Sequence, residues 1–294
     1  MGEKVWSIKE SLKWGIQWLK RRKIENPQAN AELIMGKILN RDRLSLYLNF
    51  NDFLSPLQID KFQESIKKRA RGIPLSYIIK EKYFMGLKFQ VDFGVYIPRP
   101  ETELLVERVL DIIDSLKPRE DTLTLVDVGT GCGNIAVSLA KNLKKVKIYG
   151  IDISSPALEV AKKNVRLHQV EKQVELLLGD IFFPLNKFNL KEKIDGIISN
   201  PPYVSSQEID FLPQEVKKEP RIALDGGENG LEFFERIIPE SLLWLKRRGF
   251  LIMEIGYNQE DEVKGLILSQ KNMEFLRIIP DYQGNPRVVV AIKN

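Results

Sequence analysis

Apolar positions recur every three or four residues through the first 80 positions, then give way to alternation and short apolar runs, so two kinds of structure are expected along the chain. Val5, Ile8, Leu12, Ile16 and Leu19 fall on one helical face, and Ala31, Ile34, Met35, Ile38 and Leu39 on another. Ile59, Phe62 and Ile66 continue the pattern after Ser55-Pro56, a helix start, while Asn26-Pro27, Asn40 and Asn51-Asp52 separate the segments. Residues 5–80 are therefore predicted to form a small helical bundle. Residues 82–97 alternate aromatic and β-branched side chains around Gly86, Asp92 and Gly94, which predicts a hairpin. Pro98-Arg99-Pro100 then halts the chain, and Glu101-Thr102-Glu103 opens a helix with Leu104, Leu105, Val109 and Ile112 on its apolar face. Acidic residues in a first turn suit the positive end of the helix dipole.

From about residue 123 the pattern alternates between strands and helices. Runs 123–127, 146–152, 174–178 and 194–199 are short and apolar, and the segments 135–143 and 156–168 between the first three carry helical spacing. This succession predicts an α/β fold: an open, mostly parallel sheet with helices on both faces. Runs 250–255, 273–279 and 287–292 supply further strands, and the turn-rich residues 280–286 make the last two an antiparallel pair. The expected organisation is a helical domain over 1–80, a hairpin connector over 81–96 and an α/β domain over 97–294. There is no internal repeat and no low-complexity tract.

Composition narrows the field. Hydrophobic residues at 43% and charged residues at 29% exclude a disordered chain. No apolar run approaches the roughly 20 residues of a membrane-spanning helix, and the acidic residues of the first positions argue against a secretory signal. One cysteine, Cys132, excludes an internal disulfide, and a single histidine, His168, leaves no His-rich metal site. A cytoplasmic protein without a structural metal is expected. The net charge of +5 is unevenly spread: residues 1–80 carry 16 basic and 8 acidic side chains, the rest 29 and 32. Lys20-Arg21-Arg22-Lys23 and the segment Lys67-Lys68-Arg69-Ala70-Arg71 concentrate the excess, either as a solvated face or as an attraction for an acidic partner.

Two constellations carry chemistry. The first, Gly129-Thr130-Gly131-Cys132-Gly133, follows the strand at 123–127 and precedes a helix, so its backbone N–H groups border a crevice that a ligand can approach closely. The next strand ends at Asp152, whose carboxylate can accept both hydroxyls of a ribose. A dinucleotide turn would need its third glycine at Asn134, and no phosphate-binding loop with a following Lys-Ser or Lys-Thr is present here, so S-adenosylmethionine suits the spacing better. The second constellation, Asn200-Pro201-Pro202-Tyr203, follows the strand at 194–199 and so lies where ligands bind in open α/β sheets. The two prolines stiffen the loop and leave carbonyls unpaired by their own N–H groups; Asn200 adds an acceptor, and Tyr203 a flat apolar face with a polar tip. Such a site suits a planar NH₂ group. Of the remaining single residues, His168 near a helix end and Cys132 in the glycine turn read as structural, and Arg99 and Glu101 either meet a substrate or cap a helix.

Together with Pro98-Arg99-Pro100-Glu101-Thr102-Glu103, Glu219-Pro220-Arg221, Asp225-Gly226-Gly227, Glu254-Ile255-Gly256 and the C-terminal Asp281-Tyr282-Gln283-Gly284-Asn285-Pro286-Arg287, these motifs make the whole chain resemble the HemK/PrmC family of release factor glutamine methyltransferases. Asn-Pro-Pro-Tyr alone is shared with DNA adenine methyltransferases; the upstream Pro-Arg-Pro-Glu segment makes the match specific. The resemblance implies a Rossmann-like S-adenosylmethionine-dependent methyltransferase sheet with an antiparallel last strand and a substrate-recognising helical domain. It implies methyl transfer to the side-chain amide of the glutamine in the Gly-Gly-Gln motif of class 1 release factors. Gly129, Thr130, Gly131, Cys132 and Gly133 would line the cofactor pocket, Asp152 would bind its ribose, and Gly179-Asp180-Ile181-Phe182 would meet the adenine. Some members carry an aromatic residue where this chain has Ile181, a role that Phe182 could take. Asn200 and the Pro201 carbonyl would hold the substrate amide, with Pro202 and Tyr203 beside it. A monomer without stable nucleic-acid or membrane binding is expected. The competing readings are a glutamine in a large-subunit ribosomal protein, adenine in nucleic acid, and an RNA- or ribosome-binding protein with a vestigial cofactor site. Only about 90 residues follow the Asn-Pro-Pro-Tyr motif, little room for a DNA target-recognition domain, and the intact glycine turn, Asp152 and Asn200 argue against a vestigial site.

Overall fold

The computed structural model describes residues 6–115 and 121–294. Val5 and the first positions read above as lacking a signal lie outside the described residues. The chain divides into two units, Met1–Glu81 with Pro213–Lys218, and Lys82–Leu212 with Glu219–Asn294.

The first unit is helical: α1 (Ile8–Arg21), α2 (Pro27–Leu39), α3 (Arg43–Leu48), α4 (Pro56–Ala70) and α5 (Leu75–Ile79). Ser7 and Ser55 cap α1 and α4 through capping boxes with Glu10 and Gln58, and Pro56 begins α4 where no donor is needed. The predicted apolar faces meet in a core of Ile8, Leu12, Leu19, Ala31, Ile34, Met35, Phe62 and Ile66. One expectation fails here. Arg69 does not share the solvated basic face; it is 4% exposed, and its guanidinium donates to Asn30 Oδ1 at 2.6 Å and to the Ile73 carbonyl and pairs with Glu215. Helical phase places it inward, whereas Lys67, Lys68 and Arg71 remain exposed.

The second unit opens with a two-stranded sheet, β1 (Glu81–Phe84) and β2 (Leu87–Gln90), turned at Met85 and Gly86, both with positive φ as tight hairpins require. Helix α6 (Glu101–Ser115) leads to β3 (Leu123–Val128), α7 (Asn134–Asn142), β4 (Val146–Asp152), α8 (Ser155–Leu167), β5 (Val174–Leu178) and β6 (Ile194–Ser199). The chain continues through α9 (Glu232–Trp244), β7 (Leu245–Glu254), α10 (Glu260–Leu268), β8 (Met273–Pro280) and β9 (Pro286–Lys293). The seven strands run in the order β5-β4-β3-β6-β7-β9-β8, parallel from β5 to β7, with β9 antiparallel to both of its neighbours. Apolar cores lie on both faces of the sheet, as the α/β reading requires.

Helices α9 and α10 escaped the sequence reading. Helix α9 has no polar cap, beginning after Leu231, and carries Pro239 inside it, so two local signals point away from a helix that its buried Phe234, Ile237 and Ile238 hold in place. Strand β7 also starts earlier than residue 250. Its first half is polar, Arg248 has φ +65, and the register against β6 shifts between Ile194 and Gly196. No described helix is long and apolar enough to cross a membrane.

Candidate active site

The chain leaves β3 in one direction for β4 and later returns on the other side as β6, so the C-terminal ends of β3 and β6 flank a topological switch point. Val128 and Ser199 are register partners there, and Ser199 Oγ donates to the Val128 carbonyl at 2.8 Å. The glycine turn continues β3. Gly129 N and Thr130 N both donate to the Ile151 carbonyl at 2.9 Å, and Thr130 Oγ1 donates to Asp127 Oδ2 at 2.6 Å. Asp127 is fully buried, and desolvation pushes its carboxyl up to about 7.

Asp152 closes the same corner. Gly131 N donates to its Oδ2 and Ser154 N to its Oδ1, each at 2.8 Å. The two carboxylate oxygens carry about four lone-pair sites, so acceptor capacity remains for a ligand hydroxyl. Burial raises its pKa and the amide donors oppose the shift. Gly129, Gly131 and Gly133 have φ of +74, +57 and +80, and a Cβ built on Gly131 would meet nothing within 4 Å. An acceptor pair beside open space at bare backbone fits the ribose of an adenosine-containing ligand. Thr130 and Cys132, the side chains of the turn, are buried, and burial pushes the Cys132 thiol up to about 12, which leaves it unreactive.

The second constellation adjoins the first: a Cβ on Gly129 would sit 3.9 Å from the Asn200 carbonyl oxygen. Asn200 Nδ2 donates to Thr102 Oγ1 at 3.0 Å, Thr102 Oγ1 donates to Glu254 Oε2 at 2.7 Å, and Tyr203 OH donates to Glu254 Oε1 at 3.2 Å. Glu254 is 1% exposed at the end of β7, and desolvation pushes its carboxyl up to about 6 against the opposing effects of Thr102, Arg287 and Tyr203. Gln259 Nε2 donates to the Tyr203 carbonyl at 3.0 Å, and Val204 pairs with Asp225. Two glycines pack tightly against this loop, Gly226 against its backbone and Gly256 against the Tyr203 ring. A Cβ on Gly226 would fall 2.8 Å from the Pro202 carbonyl oxygen, and one on Gly256 2.9 Å from Tyr203 Cδ2.

The PrmC N-terminal domain family matches residues 10–79, and the methyltransferase small domain family matches residues 102–229. The chain is 35% identical over 287 residues to the release factor glutamine methyltransferase of Moorella thermoacetica, covering 98% of this chain and 99% of that one. It is 36% identical to the enzyme of that name from Dictyoglomus turgidum, at 97% and 98% coverage. The chain belongs to the release factor glutamine methyltransferase family. Among solved structures, the hMettl16 catalytic domain in complex with a 3′UTR hairpin shares the fold, with a TM-score of 0.55 at 17% identity over 83% of this chain and 84% of that one. The Rossmann-like methyltransferase sheet expected from the sequence is the one observed, with its last strand antiparallel.

The remaining residues singled out in the sequence take definite places. Phe182 is 0% exposed, packed in the core with its ring centroid 6.3 Å from that of Trp244, so it offers no stacking surface; Ile181, at φ +44, is also buried. The Arg99 side chain pairs with the buried Glu219, whose Oε2 also accepts from Ile97 N, and lies 4.8 Å from the Tyr96 ring. Glu101 is exposed in the first turn of α6. His168 ends α8, with Nε2 2.8 Å from the Lys88 carbonyl oxygen and its ring against Phe89. Sequence reasoning quoted Thr102, Gly226, Glu254 and Gly256 without assigning them work. The available signal was a carboxylate and a hydroxyl at element ends inside otherwise apolar runs, which is costly unless paired.

Proposed function

We propose that this enzyme transfers a methyl group from S-adenosylmethionine to the side-chain amide nitrogen of the glutamine in the Gly-Gly-Gln motif of class 1 release factors. The observation that carries this reading is the position of Asn200: it stands at the end of β6, beside the glycine turn of β3, with its Nδ2 already engaged by Thr102. Asp152 and residues 129–133, with Ile181, would hold S-adenosylmethionine, which would supply a methyl group on a sulfonium whose thioether is a good leaving group.

The chain's own task is the acceptor. An amide nitrogen is a poor nucleophile because its lone pair is delocalised into the carbonyl. Asn200 Oδ1 and the Pro201 carbonyl accept the two amide hydrogens, hold the nitrogen in line and stabilise the positive charge that grows on it. Pro202 keeps the loop stiff, and the Tyr203 ring walls one face of the amide. Holding both reactants in place supplies an advantage of roughly 7–11 kcal/mol in well-oriented systems. The proton lost from nitrogen is strongly acidic after transfer, and water removes it.

The helical domain over 1–80 recognises the protein substrate, through the exposed Lys20, Arg21, Arg22, Lys23, Lys67, Lys68 and Arg71 facing an acidic surface. The hairpin serves as connector, the enzyme acts as a monomer in the cytoplasm, and it binds no nucleic acid stably. The test is labelled methyl transfer to a purified release factor and to its Gly-Gly-Ala variant. Labelling of the first alone is the expected result. Labelling of both, or of neither while S-adenosylmethionine binds, overturns the assignment and directs attention to a ribosomal glutamine or an adenine.

A further inference from the structure

The hydrogen bonds behind Asn200 have a direction that chemistry imposes. An ionised carboxylate only accepts, so the Thr102 hydroxyl must spend its single proton on Glu254 Oε2, 2.7 Å away. Thr102 Oγ1 is then left with lone pairs alone toward Asn200, and only the NH₂ end of the Asn200 amide can bond to it, at 3.0 Å. Resting on the function proposed above, we propose that Glu254 and Thr102 are positioning residues that fix which way round the Asn200 amide stands. With Nδ2 held, Oδ1 is the end that remains to accept a hydrogen from the substrate NH₂. A reversed amide would present a donor to a donor and repel the acceptor glutamine.

Three features support the assignment. Glu254 lies on β7 and Thr102 in the first turn of α6, so the relay joins two elements remote in sequence from the Asn200 loop and from each other. Both are about 1% exposed, and a buried carboxylate and hydroxyl are costly unless hydrogen-bonded, a condition they meet through each other and through Asn200 and Tyr203. The second carboxylate oxygen takes the proton of Tyr203 OH, so one anion orients both ends of the Asn200-Pro201-Pro202-Tyr203 loop.

The relay also sets a pH dependence. The groups acting on Glu254 are Thr102, Tyr203, Arg287, which lowers its pKa, Glu101, which raises it, and Tyr96, with burial the largest effect and the balance near 6. Below that pH the carboxyl carries a proton, Thr102 no longer has to donate to it, and the orientation of Asn200 is released. Turnover at saturating S-adenosylmethionine is therefore expected to fall as pH drops through about 6.

Four proteins test this: wild type, Thr102→Val, Thr102→Ser and Glu254→Gln, each assayed for kcat and KM with a release factor, S-adenosylmethionine affinity and thermal melting. Thr102→Val keeps the shape and removes the acceptor, and a misplaced reactive group costs on the order of 100-fold, so kcat should fall by about that factor with cofactor affinity unchanged. Thr102→Ser restores the hydroxyl and should recover most of kcat. Glu254→Gln can accept from only one of the two hydroxyls; it should lose part of kcat and all of the acid limb. The proposal is overturned if Thr102→Val turns over like wild type, if Thr102→Ser is as impaired as Thr102→Val, or if Glu254→Gln retains the acid limb. A wild-type enzyme that binds S-adenosylmethionine but labels no release factor is a failure of the assigned function instead, and the variants are then read on the acceptor that is labelled.

Discussion

The two loops at the switch point are held by opposite means. The glycine turn is secured by its own backbone: Gly129 and Thr130 bond to Ile151 of the adjacent strand, and Gly131 to the carboxylate that ends the same strand. The Asn200 loop, whose two prolines donate nothing, is held by side chains and close backbone from elsewhere, namely Thr102 on α6, Glu254 on β7, Gln259 beyond it, and Gly226. Under the proposed function, the contrast separates binding from chemistry. A turn built of main chain presents a generic cradle, suited to a ligand that many enzymes use. A loop oriented by distant side chains can set the direction of one amide, suited to a single acceptor.

That contrast can be broken by substitution. Asn200→Ala is the sharpest: losing a preorganised group that stabilises the transition state costs on the order of 100- to 1000-fold in kcat, with S-adenosylmethionine affinity, read by calorimetry, left largely intact. Asp152→Ala should show the reverse split. Removal of a charged hydrogen-bond partner costs about 1.5–3 kcal/mol, so cofactor Kd should rise by roughly 10- to 100-fold while turnover at saturating cofactor changes much less. If both variants damage the same parameter, the two loops do not divide the work.

Gly256→Ala sharpens the comparison from the side of packing. The added methyl meets the Tyr203 ring and Gln259 Oε1, and overpacking of this kind costs roughly 1–3 kcal/mol of unfolding free energy, measured by denaturant titration. The same change at Gly131, where space is open, should affect stability only through its positive φ and cofactor binding by filling the cradle. The smallest effect is expected in the helical unit. Replacing Lys67, Lys68 and Arg71 together with Gln should raise KM for the protein substrate a few-fold at low salt, about the scale of exposed charges, and leave the melting temperature unchanged. Arg69→Ala should do the opposite, lowering the melting temperature because Asn30 and Glu215 lose a buried partner. A KM unaffected by the triple change would make those charges a solvated face and nothing more.

Much of this was legible in sequence because the signals are local. Periodicity found the cores of α1, α2 and α4; short apolar runs found every strand of the main sheet to within a few residues; glycine spacing and Asp152 marked the cradle. Local signals also misled. Pro239 hid α9, because a proline inside a helix is an unfavourable choice that only tertiary burial of Phe234, Ile237 and Ile238 overrides. Arg69 looked like one of four surface charges because a charge run does not reveal its own phase against neighbouring helices.

By itself, then, the sequence determined the strands of the main sheet, helices α1, α2, α4, α6, α7 and α8, and the two motifs on which the proposed chemistry rests, since each rests on residues a few positions apart. Only the tertiary structure decided that Phe182 belongs to the core, that Arg99 serves Glu219, that Thr102 stands behind Asn200 across 98 residues of chain, and that Glu254 stands behind Thr102 across 152. A hydrogen bond has a length and a direction but no sequence separation. Which buried carboxylate meets which hydroxyl is settled when the strands take their places in the sheet.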